Sequence, residues 1–235
     1  MEHNRKQKLL VIVALIVGIA SLSIGFAAFS TTLNISSNAT VTPNIADFKV
    51  TIYGMKTEEA ANKYAEDGTL TEESLSTTIS TPPTLADENM SASIANIDNT
   101  NHTISNIKIN LVNPSSEIPY YFIIKNEGKY DVYLDLSKYE KESGNYMLIN
   151  QGTCTAGEGT SQELLDLTCP YIASVVAIYG SSGEPISAGE NVIKIPKDDY
   201  IHLGYAIGYM ETENRADGPF TIEFPEEQLI FSTTK

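Results

Sequence analysis

The chain has no tryptophan, two cysteines, three histidines and few basic residues, and each shortage excludes something. Two cysteines are too few for a disulfide-built mini-protein. Cys154 and Cys169 also have no histidine or further cysteine nearby, so no zinc template fits. The histidines are His3 near the start, His102 in a loop and His202 on the polar phase of a strand pattern. No His-Glu-x-x-His pair, Gly-x-Ser-x-Gly elbow or phosphate-binding loop occurs. Cys154 has no nearby base to activate a thiol. The sequence therefore points to no catalytic residue, no metal ligand set and no cofactor, and to a protein that is not an enzyme. From Ala28 onward, 12 basic residues stand against 29 acidic ones. That balance excludes nucleic acid, because little is available to release counterions from phosphate. It equally disfavours adhesion to anionic phospholipid, and suits a solvated, self-repelling surface.

What is present begins with one stretch, Lys8 to Ile35. Arg5, Lys6 and Lys8 precede an apolar run from Leu9 to Ala20, followed by small residues including Ser21, Ser23, Gly25, Ala27 and Ala28. At Phe29 the pattern changes to strict alternation, with Phe29, Thr31, Leu33 and Ile35 on one face: helical hydrophobicity gives way to a half-buried strand. Two readings of residues 1–27 stand side by side. As a signal peptide, Gly25 and Ala27 at −3 and −1 place the cut between Ala27 and Ala28. As an anchor, Leu9 to Phe29 is long enough to span about 30 Å of hydrocarbon, with the basic flank inside. Both deliver residues 28–235 outside the cytoplasm, secreted or at the cell surface, with contact to a membrane only through the N-terminal segment.

An outside compartment permits oxidation. A bridge between Cys154 and Cys169 would close a loop of about 15 residues and contribute on the order of 3 kcal/mol; a free buried pair is the alternative. Thirteen tyrosines with abundant Thr, Ser, Asn and Ile make a composition of strand and turn formers. Alternation recurs at Phe48–Tyr53, Ala92–Ile97, Thr103–Val112, Ile118–Lys125, Tyr130–Leu136, Tyr171–Tyr179, Asn191–Ile195, Tyr200–Met210, Phe220–Phe224 and Leu229–Phe231. Pro114 and Pro119 bracket a loop, and Asn126-Glu-Gly128 marks a turn. Two short helices are expected, one capped by Thr57 and ending near Gly68, one opened by the capping box Thr160-Ser-Gln-Glu163. About ten strands need two packed layers, so the expected fold is all-β, an antiparallel β-sandwich forming a single domain over 28–235. Residues 57–91 and 137–169 read as insertions.

Three weaker features carry alternatives. The acidic stretch Glu211–Asp217 lacks EF-hand spacing and reads as a solvated loop, as do Asp198-Asp199 and Glu226-Glu227. The tyrosines Tyr120, Tyr121, Tyr130, Tyr133, Tyr205 and Tyr209 suggest either half-buried packing or a flat aromatic binding surface. Sequons at Asn34, Asn38, Asn89 and Asn101 matter only in a glycosylating host.

The junction Gly25-Phe-Ala-Ala-Phe-Ser30 with the following Thr-Leu-Asn-Ile strand resembles the precursors of TasA/camelysin-type surface proteins of Gram-positive bacteria. Ile118-Pro-Tyr-Tyr-Phe-Ile-Ile-Lys-Asn-Glu-Gly-Lys-Tyr130 is similar to that family's strand, Asn-x-Gly turn, strand element, and Phe220-Thr-Ile-Glu-Phe224 to its ending. The resemblance covers about 45 residues. It implies a jelly-roll-like sandwich, processing by a SipW-type signal peptidase, and self-association into fibres of the biofilm matrix. In that scheme Phe29, Thr31, Leu33 and Ile35 belong to a donor strand that completes a neighbour's sheet. The cysteine pair departs from the pattern of the fibre formers. The metallopeptidase activity attributed to camelysin does not carry over, because no metal-ligand motif is present. The reading is thus a non-enzymatic structural subunit, self-associating or binding other surface proteins; its alternative is a membrane-tethered adhesin or ligand-binding module.

Overall fold

The computed structural model describes residues 47–234 apart from 83–84, 86–87, 113–116, 143–144, 150–151, 170–171, 187–190 and 210–217. The expected signal or anchor segment, the Ala27/Ala28 junction, the strand expected to bear Phe29, Thr31, Leu33 and Ile35, and the acidic stretch Glu211–Asp217 lie outside the described residues.

Eighteen strands, all paired antiparallel, and two α-helices make up the described chain. One layer is a seven-stranded sheet in the order β10-β11-β13-β15-β8-β1-β2. These are β1 (Val50–Met55), β2 (Leu75–Ser76), β8 (Glu117–Asn126), β10 (Glu140–Glu142), β11 (Asn145–Ile149), β13 (Ile172–Gly180) and β15 (Tyr200–Tyr209). Its centre follows from period-two alternation. In β8, Ile118, Tyr120, Phe122 and Ile124 point to the core, while Tyr121, Ile123 and Lys125 point outward. Pro119, expected to bound the loop before this strand, is the third residue of the strand itself. Pairing with β1 runs only as far as Phe122, so at Pro119 the strand has β15 alone as neighbour and the missing N–H disturbs no second ladder.

Three smaller sheets contribute to the same core. They contain β3 (Ile79–Ser80), β4 (Ser91–Ala92), β5 (Ala95–Asp98), β6 (Thr103–Ser105), β7 (Lys108–Leu111), β9 (Val132–Asp135), β12 (Thr153–Ala156), β14 (Val192–Ile195), β16 (Phe220–Glu223), β17 (Glu227–Gln228) and β18 (Ile230–Ser232). Much of this is one kinked ladder. A hairpin pairs Ala92 with Ile109 and, in unchanged register, Asn96 with Ser105; the C-terminal strand pairs Glu223 with Lys108 and Glu227 with Ile104. The ladder breaks at Asn106, which takes a left-handed conformation (φ 60) and donates to the Ile94 carbonyl at 2.8 Å; Pro225, lacking a donor, occupies the same gap. The continuous strand expected over Thr103–Val112 is therefore two.

The expectation of about ten strands undercounts, because β2, β3, β4 and β17 are two residues long and too short to show a period. Residues 137–169, read as an insertion with one short helix, hold β10, β11 and β12 besides that helix.

Helix α1 (Glu58–Asp67) starts where Thr57 accepts from Ala60 N–H at 3.2 Å and stops at Gly68, whose φ of 69 suits an αL cap. Ten residues are marginal as a free helix. Ala60 and Ala61 hold it down instead, packed on Met55 and Ile123 on the outer face of the large sheet. Helix α2 (Gln162–Thr168) is capped one residue later than expected. Ser161, not Thr160, accepts from Leu164 N–H at 3.3 Å, while Thr160 donates to the Pro219 carbonyl at 2.8 Å.

Candidate functional site

Cys154, on β12, and Cys169, the residue closing α2, form a disulfide with Cα atoms 6.2 Å apart. This settles the pair as a bridge and is compatible with a location outside the cytoplasm. Among the described residues no three His, Cys, Asp or Glu side chains come together as a metal site, and no helix is long and apolar enough to cross a membrane.

The tyrosines do not form the flat surface weighed above. Tyr120 and Tyr205 face the core, Tyr130 projects into solvent at 61% exposure, and Tyr133 lies half-buried on β9. The physical reason is the pleat, which sends Tyr120 and Tyr121 to opposite faces. Tyr205 meets Phe122 edge-on within the core, the side chain of Tyr209 lies outside the described residues, and Tyr121 joins an aromatic group on the outer face. The other members, Tyr64, Tyr179, Tyr200 and His202, come from α1, β13 and β15.

His202 is at the centre of this outer face. Its ring stacks on Tyr64 with centroids 4.1 Å apart and meets Tyr200 edge-on at 5.1 Å. Sequence reasoning put His202 on a polar, outward phase. The phase is right, but α1 roofs that face, and only 2% of the residue stays exposed. Nδ1 has no hydrogen-bond partner in the structure, and burial pulls the imidazole down to about 4. A neutral histidine under a tyrosine ring is a packing residue. The one available signal was the Ala60/Ala61/Tyr64 spacing on α1, which gives the helix a single apolar stripe.

Beside this stack lies a groove of about 650 Å³. Tyr64, Tyr121 and Tyr179 line it, with Glu66 and Asp67 from the last turn of α1 and Ser182 from the turn after β13. Tyr64 and Tyr121 meet edge to face, centroids 6.0 Å apart and planes inclined at 70°. Burial raises the phenol pKa of both, and the nearby Tyr179 raises each further. On the other flank of α1 a second groove, of about 580 Å³, runs past Tyr53, Leu70, Ile123 and Tyr200.

Several other polar groups pair with one another. Tyr205 and Tyr139 share a hydroxyl–hydroxyl bond of 2.8 Å, Tyr139 donates to Glu227 Oε1 at 2.5 Å, and Lys138 Nζ lies 2.6 Å from the same oxygen. Burial drives both phenols well above their usual range, so both hydroxyls stay protonated. Asp199 accepts from Tyr200 N–H at 2.8 Å, and Asp198 pairs with Lys197 at 3.3 Å. Asp198 is exposed, as expected of a solvated residue, whereas Asp199 and Glu227 are tied into local structure.

The sheet rims are the remaining candidates, and two of them are closed by side-chain amides. Asn99 accepts from Ile52 N–H at 2.6 Å and donates to the carbonyls of Ile52 and Thr77, both at 2.9 Å, so one side chain caps the rim of β1. Gln162 does the same for β12, accepting from Ala156 N–H at 2.7 Å and donating to the Cys154 carbonyl at 3.2 Å. A third rim, β10, exposes Glu140 and Lys141 and is guarded by charge.

No family model, no curated protein and no solved structure matches this chain. The site has to be judged on its own geometry.

Proposed function

We propose that the protein is an exported, non-enzymatic subunit of the cell surface or extracellular matrix. Its layered fold is a β-sandwich of the jelly-roll kind, and it assembles with copies of itself by donating the strand that bears Phe29, Thr31, Leu33 and Ile35. The N-terminal apolar run, the acidic chain that follows and the disulfide all support export. The resemblance of the Gly25–Ser30 junction to TasA/camelysin-type precursors supports processing between Ala27 and Ala28 by a signal peptidase.

The observation that carries the assembly reading is the treatment of the rims. Natural sheets close edges that would otherwise recruit strands. Here β1 and β12 are capped by amides and β10 is charged, while β2, β3, β4 and β17 are two residues long and offer little to template. Among the described strands β14 is the longest rim with neither an amide cap nor a run of charges: Ile193 and Ile195 are buried, and Lys194 is exposed and paired with Asp131. A strand added there completes a sheet through main-chain bonds. The connector from Ile35 to Asp47 reaches about 40 Å when extended, enough for pairing within the molecule or with a neighbour.

Deleting residues 28–36 from the mature protein and imaging it by electron microscopy tests this. Loss of fibres is expected; unchanged fibres end the strand-donation reading.

The second reading, a membrane-tethered adhesin or ligand-binding module, is favoured by the aromatic groove beside α1. N-terminal sequencing of the exported protein separates the two, an intact Met1 meaning the tether and a start at Ala28 the free subunit.

A further inference from the structure

The groove between the end of α1, β8 and the turn after β13 has three properties that point to one kind of ligand. The first is its wall. Tyr64, Tyr121 and Tyr179 line it, and the ring planes of Tyr64 and Tyr121 are inclined at 70° rather than coplanar. A sugar face wants a flat platform to stack on. Mutually inclined rings instead surround a compact group and present it with several electron-rich surfaces.

The second property is charge. Glu66 and Asp67 sit in the last turn of α1, which carries no basic residue. That is the negative end of the helix dipole, where cations are favoured and carboxylates are not. Asp67 is held by bonds to Thr69, with Lys63 a lesser influence. Neither carboxylate joins an ion pair among the described residues, and no Lys or Arg lines the groove. Helix end, carboxylates and ring faces thus add potential of one sign at one place.

The third is size and access. About 650 Å³ is ample for a small organic group, and Tyr179, at 36% exposure, stands at the surface.

We infer that this groove binds an alkylammonium group, held by the faces of Tyr64, Tyr121 and Tyr179 with Glu66 and Asp67 as counter-charges. The site is formed wholly within the described fold, so it stands whether the protein is tethered or free and whether or not it polymerises. A quaternary head engages the rings alone. A primary ammonium adds hydrogen bonds to phenol oxygens of the lining and to Ser182.

The test is a titration of the intact protein, with its tyrosine rings isotopically labelled, followed by NMR. The probes are choline and butylammonium, with 3,3-dimethylbutanol as the neutral twin of choline and methyl glucoside as a sugar. At least one cation is expected to shift the signals of Tyr64, Tyr121 and Tyr179 with a Kd on the order of a millimolar. The neutral twin should bind about tenfold more weakly, as should the cation to Y179A and E66Q. Both substitutions are at exposed positions, and an unchanged melting temperature verifies their folding. The relative affinity of choline and butylammonium identifies the class of head-group. Equal binding of 3,3-dimethylbutanol, affinity untouched by Y179A and E66Q, preference for the glucoside, or no ring shift with either cation would overturn the assignment.

Discussion

Replacing Asn99 by alanine probes how this fold protects its rims. The side chain makes three hydrogen bonds to main chain, two of them to the N–H and carbonyl of Ile52, a residue with no exposed surface. Each such bond contributes about 1 kcal/mol net, and an orphaned buried partner costs about 1–3 kcal/mol. Water can reach the Thr77 carbonyl, so the loss concentrates on Ile52 and comes to about 2–4 kcal/mol. For a domain of this size that lowers the melting temperature by about 5–15 °C. Asn99→Asp is the control: it keeps the acceptor for Ile52 N–H but sets a carboxylate against two carbonyl oxygens, and should fare no better than alanine. An opened β1 is also a free strand edge, so sedimentation velocity should show new, concentration-dependent self-association in the alanine variant. A melting temperature within about 1 °C of wild type, with unchanged sedimentation, would refute the capping argument.

Three further outcomes are expected. His202 is held near pKa 4 in the fold against about 6.5 in the unfolded chain, so the unfolded state takes up its proton first. Its contribution is intact above pH ~6.5 and is lost as pH falls towards ~4, about 2–3 kcal/mol in all; urea melts of wild type and His202→Leu should diverge in slope across that window and run parallel above it. Replacing both Cys154 and Cys169 by alanine opens a loop of 15-residue separation and should cost about 3 kcal/mol in chemical denaturation. Gly54→Ala drives a methyl into the Ile79 carbonyl and the Ser80 Cβ, displacing β3; a loss of about 2–3 kcal/mol should appear in the same assay.

What was legible in the sequence is what repeats locally. Ile118, Tyr120, Phe122 and Ile124 announce a central strand because burial recurs every second residue. Thr57 and Gly68 announce a helix because its ends need a cap and a left-handed stop. The disulfide could be anticipated from an outside compartment. Long-range fit was not legible. Asn99 sits in an Asp-Asn-Thr-Asn turn that any hairpin might use, and only the fold shows that its amide reaches β1. Gln162 looks like an ordinary first-turn residue until β12 lies beside it. His202 was placed on the correct face but not under Tyr64, because the roof comes from a helix far away in sequence. The groove tyrosines escaped for the same reason. Tyr64, Tyr121 and Tyr179 sit on three separate elements, whereas the tyrosines clustered in sequence divide between two faces of a sheet.

The central claim, assembly through Phe29, Thr31, Leu33 and Ile35, is most directly tested with a free peptide. A synthetic Ala28–Ser36 segment should occupy the acceptor rim of each growing end, so mature protein incubated with excess peptide is expected to give short oligomers by electron microscopy where protein alone gives fibres. Fibres of unaltered length at saturating peptide, or mature protein that remains monomeric at every concentration, would contradict the account.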